Sequence, residues 1–194
     1  QVTVGDAYNG SWKTVIVGGL GAGGRGLYAI DVTNPNNPDV LWEFTDEDDP
    51  DLGFTFGQPI ITRLGDGTWV TIFGNGYGSA NGQAYLYVRE LFSGNLREKI
   101  PLGNPGVNGL SGATALLEPV NPNFLTRVYA GDLNGTMWRI DFSATGVATV
   151  RYPGGLFTVP NNRSITAEPA LAASPSGGIF VYYGTGKLIE TGDI

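Results

Sequence analysis

The chain has 194 residues, 41% of them hydrophobic, enough to bury a core and too many for a disordered segment. A formal net charge of −7, with no clustered basic stripe, excludes a nucleic-acid-binding surface. The absence of cysteine and histidine excludes disulfides and zinc–thiolate sites, and removes the commonest general base.

In chain order, the residues read as short strands. The 31 glycines fall at turns between apolar runs, which is the pattern of tight hairpins. Val2–Val4 begins a strand. Thr14-Val-Ile-Val-Gly18 is a second, and it turns into Gly26-Leu-Tyr-Ala-Ile-Asp31. Val40-Leu-Trp-Glu-Phe44 closes the unit. The same order returns as Gln58–Ile61, Val70-Thr-Ile-Phe-Gly74, Ala84-Tyr-Leu-Tyr-Val88 and Leu96–Ile100. A third round is Gly112–Leu117, Arg127-Val-Tyr-Ala-Gly131, Thr136-Met-Trp-Arg-Ile-Asp141 and Ala148–Tyr152. A fourth begins with Glu168–Ala172 and Phe180-Val-Tyr-Tyr-Gly184, followed by Lys187.

The marker glycines Gly18, Gly74, Gly131 and Gly184 are 56, 57 and 53 residues apart. Four strands per repeat is the blade of a β-propeller. The fold class is therefore all-β, with blades at 1–54, 55–109, 110–162 and an incomplete 163–194. An open arc of blades leaves sheet faces and edges unpaired, so further blades are expected on other sequence or another chain. The four tryptophans, Trp12, Trp42, Trp69 and Trp138, lie on or beside these strands and read as blade-packing residues.

Several motifs bear on chemistry. Gly19-Leu-Gly21-Ala-Gly-Gly24 has dinucleotide-loop spacing, but a strand pattern follows it where a phosphate site requires a helix, so it reads as a hairpin loop. Tyr183-Gly-Thr-Gly-Lys187 lacks P-loop length and reads as a turn. Asn9, Asn134 and Asn162 open Asn-x-Ser/Thr triplets, a pattern common by chance. The densest charge cluster is Asp46, Glu47, Asp48, Asp49 and Asp51. It reads either as a solvated inter-blade loop or as a cation or partner contact; its spacing is not that of an EF-hand. No nucleophile–base pair can be assembled, so no catalytic residue is assigned.

In register, Gly18–Pro35, Leu52-Gly-Phe-Thr-Phe-Gly57, Phe73-Gly-Asn-Gly-Tyr77, Tyr129–Asp141 and Tyr183–Lys187 resemble the C-terminal propeller of the PilY/PilC family, and the resemblance covers nearly the whole chain. It implies a quinoprotein-like propeller of about seven blades. It further implies an exported protein at the pilus tip, cell surface or outer membrane, with an N-terminal adhesive region that contacts a host or surface receptor. The implied role is that of a type IV pilus tip-associated adhesin in pilus biogenesis, twitching motility and adhesion. The implied partners are minor pilins or pilus tip proteins, with no nucleic acid.

Many members of that family carry an Asp-rich calcium loop before the Tyr-Ala-Gly-Asp strand. Here its ligand positions fall on Glu118, Val120, Pro122 and Thr126, of which Glu118 alone is a carboxylate. This loop is expected not to bind calcium. No cofactor is expected, with calcium left open elsewhere on the chain. The alternatives are a quinoprotein dehydrogenase, whose blades look similar, and a propeller scaffold of outer-membrane assembly.

Overall fold

The computed structural model describes residues 1–118 and 124–187. Apart from two single-turn 3₁₀ segments, its regular structure is all strand, in antiparallel sheets with sequential neighbours. The first sheet is β1 (Val2–Tyr8), β2 (Trp12–Gly19), β3 (Gly26–Asp31) and β4 (Asp39–Thr45). The second is β5 (Ile60–Arg63), β6 (Trp69–Gly74), β7 (Ala84–Glu90) and β8 (Leu96–Leu102). The third is β9 (Leu110–Leu117), β10 (Leu125–Asp132), β11 (Thr136–Phe142) and β12 (Ala148–Val150), with β13 (Phe157–Thr158) also pairing β11. A hairpin of β14 (Ala170–Ala173) and β15 (Ile179–Tyr182) follows. Four-stranded antiparallel meanders in series are propeller blades, and the sheets are numbered as blades 1 to 4 below.

The blades stack because each strand sends alternate side chains to opposite neighbours. On β6, Val70 and Ile72 join the seam toward blade 3, with Val128, Ala130, Trp138 and Ile140. Phe73 of the same strand points the other way, into the seam with Val15, Val17, Leu27 and Phe44 of blade 1. A strand buried on both faces needs no polar alternation, which explains why Val70–Gly74 is buried at every position, with Thr71 as its one polar residue. In the blade 1–2 seam, Phe73 and Tyr87 stack at 5.4 Å between ring centroids, and Phe44 and Tyr87 form a T-shaped pair at 5.6 Å. Tyr129, Met137 and Ile165 form a smaller seam against Leu171 and Val181 of blade 4.

The first strands of the blades gather at one edge. The Thr3 hydroxyl donates to the Pro59 carbonyl at 2.5 Å, and Thr114 repeats the bond to Pro169 at 2.5 Å. Gln58 N donates to Glu168 Oε1 at 2.9 Å, across the inner edge of blade 3. The bulge between Ala29 and Ile30 in blade 1 recurs between Val88 and Arg89 in blade 2, another sign of one repeating unit.

Three details differ from the sequence reading. The glycine equivalent to Gly74 and Gly131 is Gly19, one residue after Gly18. A Cβ on Gly19 would meet the Thr55 carbonyl, one on Gly74 the Leu110 and Ser111 carbonyls, and one on Gly131 the Ile165 side chain, in each case the neighbouring blade. The outer strand of blade 3 is split into β12 and β13, with the Pro153-Gly154-Gly155 turn between them. Trp42 and Trp138 are buried and Trp69 half-buried, but Trp12 is 65% exposed. With Val2, Val4 and Tyr8, it lies on the face of blade 1 turned away from blade 2, opposite a second open face bearing Phe180 and Tyr182 on blade 4.

Candidate functional site

Hairpin alternation sorts the loops onto two faces of the arc. The β4–β5 and β8–β9 connections emerge on one face, so Asp46–Asp51 and Gly103–Gly109 share it. Thr33–Asp39, the β3–β4 connection, and Glu118, at the end of β9, lie on the other.

The acidic loop divides into two halves. Asp46 pairs with Arg25 at 3.4 Å, and the Arg25 guanidinium lies over the Phe54 ring at 5.0 Å. Asp48 turns back on its own chain, where Oδ2 accepts the Thr45 N–H at 2.8 Å. Glu47 is exposed. The other half faces the seam. Lys99 Nζ, from β8, donates to both Asp49 oxygens at 2.8 and 2.9 Å and to Asp51 Oδ2 at 2.7 Å. Asn81 Nδ2 donates to Asp51 Oδ1 at 2.6 Å, and the Tyr87 hydroxyl donates to Asp49 Oδ2 at 2.9 Å. The ammonium also sits over the Tyr85 ring at 4.5 Å.

The electrostatics follow from this geometry. Burial by itself would raise the Asp49 carboxyl; hydrogen bonds from Lys99, the Asp51 N–H and Tyr87 outweigh it and hold the group below its ordinary 3.8. Burial likewise opposes the charge on Lys99, and the two carboxylates overcome it, so the ammonium titrates above its ordinary 10.5. The Tyr87 hydroxyl is raised by burial and then by the Asp49 charge. Asp49 and Asp51 are thus committed to an internal clamp that pins the loop onto blade 2. Asp46, Glu47 and Asp48 are the carboxylates left toward solvent. Lys99 was not legible as a member of this cluster, because it lies 48 residues from Asp51 and joins it only through blade packing.

Beside the clamp, buried polar side chains tie the same face together. Asn75 is fully buried and makes four hydrogen bonds: Nδ2 donates to the Asp51 and Gln83 carbonyls, and Oδ1 accepts from Tyr85 N and Leu110 N. Asp132, one blade on, accepts from Thr136 N at 2.8 Å, Trp138 Nε1 at 2.8 Å and Asn108 Nδ2 at 3.1 Å. These side chains satisfy the loop backbone that crosses from one blade to the next. A cleft of about 350 Å³ opens above Asp132, lined by Asn104, Asn108, Asn134 and Trp138.

Of the calcium-loop positions, Val120 and Pro122 lie outside the described residues. Glu118 N donates to the Phe124 carbonyl at 2.8 Å, and the Thr126 hydroxyl donates to the Leu116 carbonyl at 2.9 Å. Thr126 therefore sits at the register shift between Leu125 and Arg127, with its hydroxyl bonded back to β9. Among the described residues, no group of three or more acidic side chains is placed to hold a metal ion. Gly21–Gly23 forms a single 3₁₀ turn leading into β3, with no helix behind it to bind a phosphate.

Comparison with known proteins agrees with the fold. The family described as PilY1 beta-propeller domain matches residues 2–153. A type IV pilus biogenesis factor PilY1 homolog of Xylella fastidiosa is 39% identical over 98% of this chain and 15% of its own length. Type IV pilus biogenesis factor PilY1 of Pseudomonas aeruginosa strain UCBPP-PA14 is 38% identical over 98% of this chain and 19% of its own. The crystal structure of the Pseudomonas aeruginosa PilY1 C-terminal domain superposes with a TM-score of 0.90 at 34% identity, covering 100% of this chain and 45% of that one. The chain thus spans less than a fifth of these curated relatives. With most of its length inside the family's domain and its blades laid over a solved member, the chain belongs to the PilY1 β-propeller family.

Proposed function

We propose that this segment is a non-enzymatic binding and assembly platform within a type IV pilus tip-associated adhesin, exported to the bacterial cell envelope. There it supports pilus biogenesis, twitching motility and surface adhesion. The observation that carries this reading is the end-to-end similarity to relatives named as type IV pilus biogenesis factors. The partners in this reading are minor pilins or pilus tip proteins, docked on loops; surface receptors fall to a region outside this chain. Further blades, about seven in all, complete the ring.

The face carrying Asp46–Asp51 and Gly103–Gly109 is the assigned docking face, because loops held by a rigid scaffold are where recognition residues sit. Steering of a basic partner falls to Asp46, Glu47 and Asp48, since Asp49 and Asp51 are occupied by Lys99. The test is a pull-down of the full-length protein against minor pilins, paired with a twitching assay. Deleting the propeller should abolish both. Neutralising Asp46, Glu47 and Asp48 should remove the salt dependence of binding without abolishing it. Intact piliation and pilin binding after deletion would overturn the platform.

A further inference from the structure

The chain contains five Asn-Gly steps, at Asn9, Asn75, Asn81, Asn108 and Asn134. In an unfolded chain all five are prone to the same reaction, because glycine offers no side chain to shield its backbone nitrogen. That nitrogen, on losing its proton to solvent base, attacks the asparagine Cγ. The Cγ–Nδ2 bond breaks, ammonia leaves and a five-membered succinimide forms. Water then opens the ring at Cγ to give aspartate, or at the backbone carbonyl carbon to give isoaspartate. The reaction needs a mobile side-chain amide and a glycine N–H not spent on a hydrogen bond.

The fold withdraws these conditions at four of the five steps. Asn75 is fully buried with its amide bonded on both ends, and Gly76 N donates to the Leu110 carbonyl at 3.0 Å. Asn81 is held by Asp51 at 2.6 Å, and Gly82 N donates to Ser79 O. Asn108 is buried, and its amide is immobilised at both ends, Nδ2 on Asp132 at 3.1 Å and Oδ1 on the Gly109 N–H at 2.9 Å, so this step is protected by burial and the loss of side-chain rotation. Asn134 is exposed, but Gly135 is buried and its N–H donates to the Asp132 carbonyl at 3.1 Å. Asn9 differs from all of them. It sits at the tip of the β1–β2 turn with Gly10, both exposed; its backbone N–H donates to the Ser11 carbonyl at 2.9 Å, but neither its side-chain amide nor the Gly10 N–H makes a hydrogen bond among the described residues. Gly10 has φ +74° and open space around it.

We infer that Asn9–Gly10 is a self-modifying site, at which the folded protein acquires aspartate or isoaspartate spontaneously and selectively. Each event adds one negative charge to the formal −7 and, as isoaspartate, one backbone atom to the turn between Tyr8 and Trp12. The new carboxylate lies at a cleft of about 330 Å³ in the blade 1–2 seam, lined by Trp69, Phe92 and Glu90. The site is therefore a slow charge switch on the face opposite the acidic loop.

The test incubates the full chain at mildly alkaline pH and samples it over time. Trypsin separates Asn9 (residues 1–13) from Asn75 and Asn81 (64–89), Asn108 (100–127) and Asn134 (128–139). Mass spectrometry reads the amide-to-acid change, and protein isoaspartate methyltransferase labelling reads the isoaspartate. Asn9 should convert at least about tenfold faster than the other four in the folded protein, and this preference should collapse in urea, where no amide is protected. Any other step converting as fast as Asn9 in the folded chain would overturn the inference. So would the same ranking in urea, which would place the cause in local sequence rather than the fold.

Discussion

Lys99 is the residue on which the acidic loop turns, and Lys99→Met tests this directly. Methionine keeps the aliphatic stem and its contact with Tyr85 while deleting the charge. Asp49 and Asp51 would then face each other without a cation, their side chains only 18% and 10% exposed. Removing one partner of a fully buried ion pair costs about 3–5 kcal/mol, and an exposed pair is worth at most about 1 kcal/mol. The clamp lies between these limits and keeps its bonds from Tyr87 and Asn81, so a loss of about 2 kcal/mol is expected. For a chain of this size that lowers the melting temperature by about 4–8 °C. Asp51→Asn in the Lys99→Met background should restore about half of the loss, because it removes the repulsion.

The gap between wild type and Lys99→Met should also depend on pH. The folded Asp49 value lies below 3.8, so its contribution is present above that pH and is lost as pH falls through the folded value. Lys99 titrates above 10.5, so its contribution is complete below that pH and is lost as pH rises through the folded value. Urea unfolding across this range is the assay. A single variant within about 0.3 kcal/mol of wild type, or strict additivity in the double variant, would refute the clamp.

Gly74→Ala places a Cβ against the Leu110 carbonyl and should cost about 2–3 kcal/mol by urea unfolding, whereas Gly184→Ala, with open space around it, should cost less than about 0.5 kcal/mol in this chain. Calorimetric titration with calcium should show no heat assignable to the β9–β10 turn; a micromolar site abolished by Glu118→Ala would contradict this. The Asp31 carboxyl, which accepts from Thr33 and Lys13, should titrate at about 2 by NMR, and Thr33→Ala should move it up toward 3.8. Its contribution to stability is therefore present above 3.8 and fades as the pH approaches 2.

Much of the fold is legible in the residues because a blade is a local object. Turn glycines and apolar runs recur on one period, and strand order within a sheet follows chain order, so the meander of Val70–Gly74, Ala84–Val88 and Leu96–Ile100 can be read without knowing its neighbours. The shortage of carboxylates at Glu118–Thr126 is equally a property of the chain. What crosses between blades is not local. Gly19 rather than Gly18 carries the blade contact, because the identity of that glycine depends on which face meets Thr55. The five acidic residues at 46–51 look alike in sequence, yet packing hands two of them to Lys99, sets Asp46 beside Arg25 at the surface and leaves Glu47 and Asp48 exposed. The five Asn-Gly steps look alike as well, and only the burial and hydrogen bonds of the folded chain separate Asn9 from the rest. For Gly19 and for the acidic loop the deciding partner lies on another strand or loop, brought close by apolar burial that the local pattern does not encode.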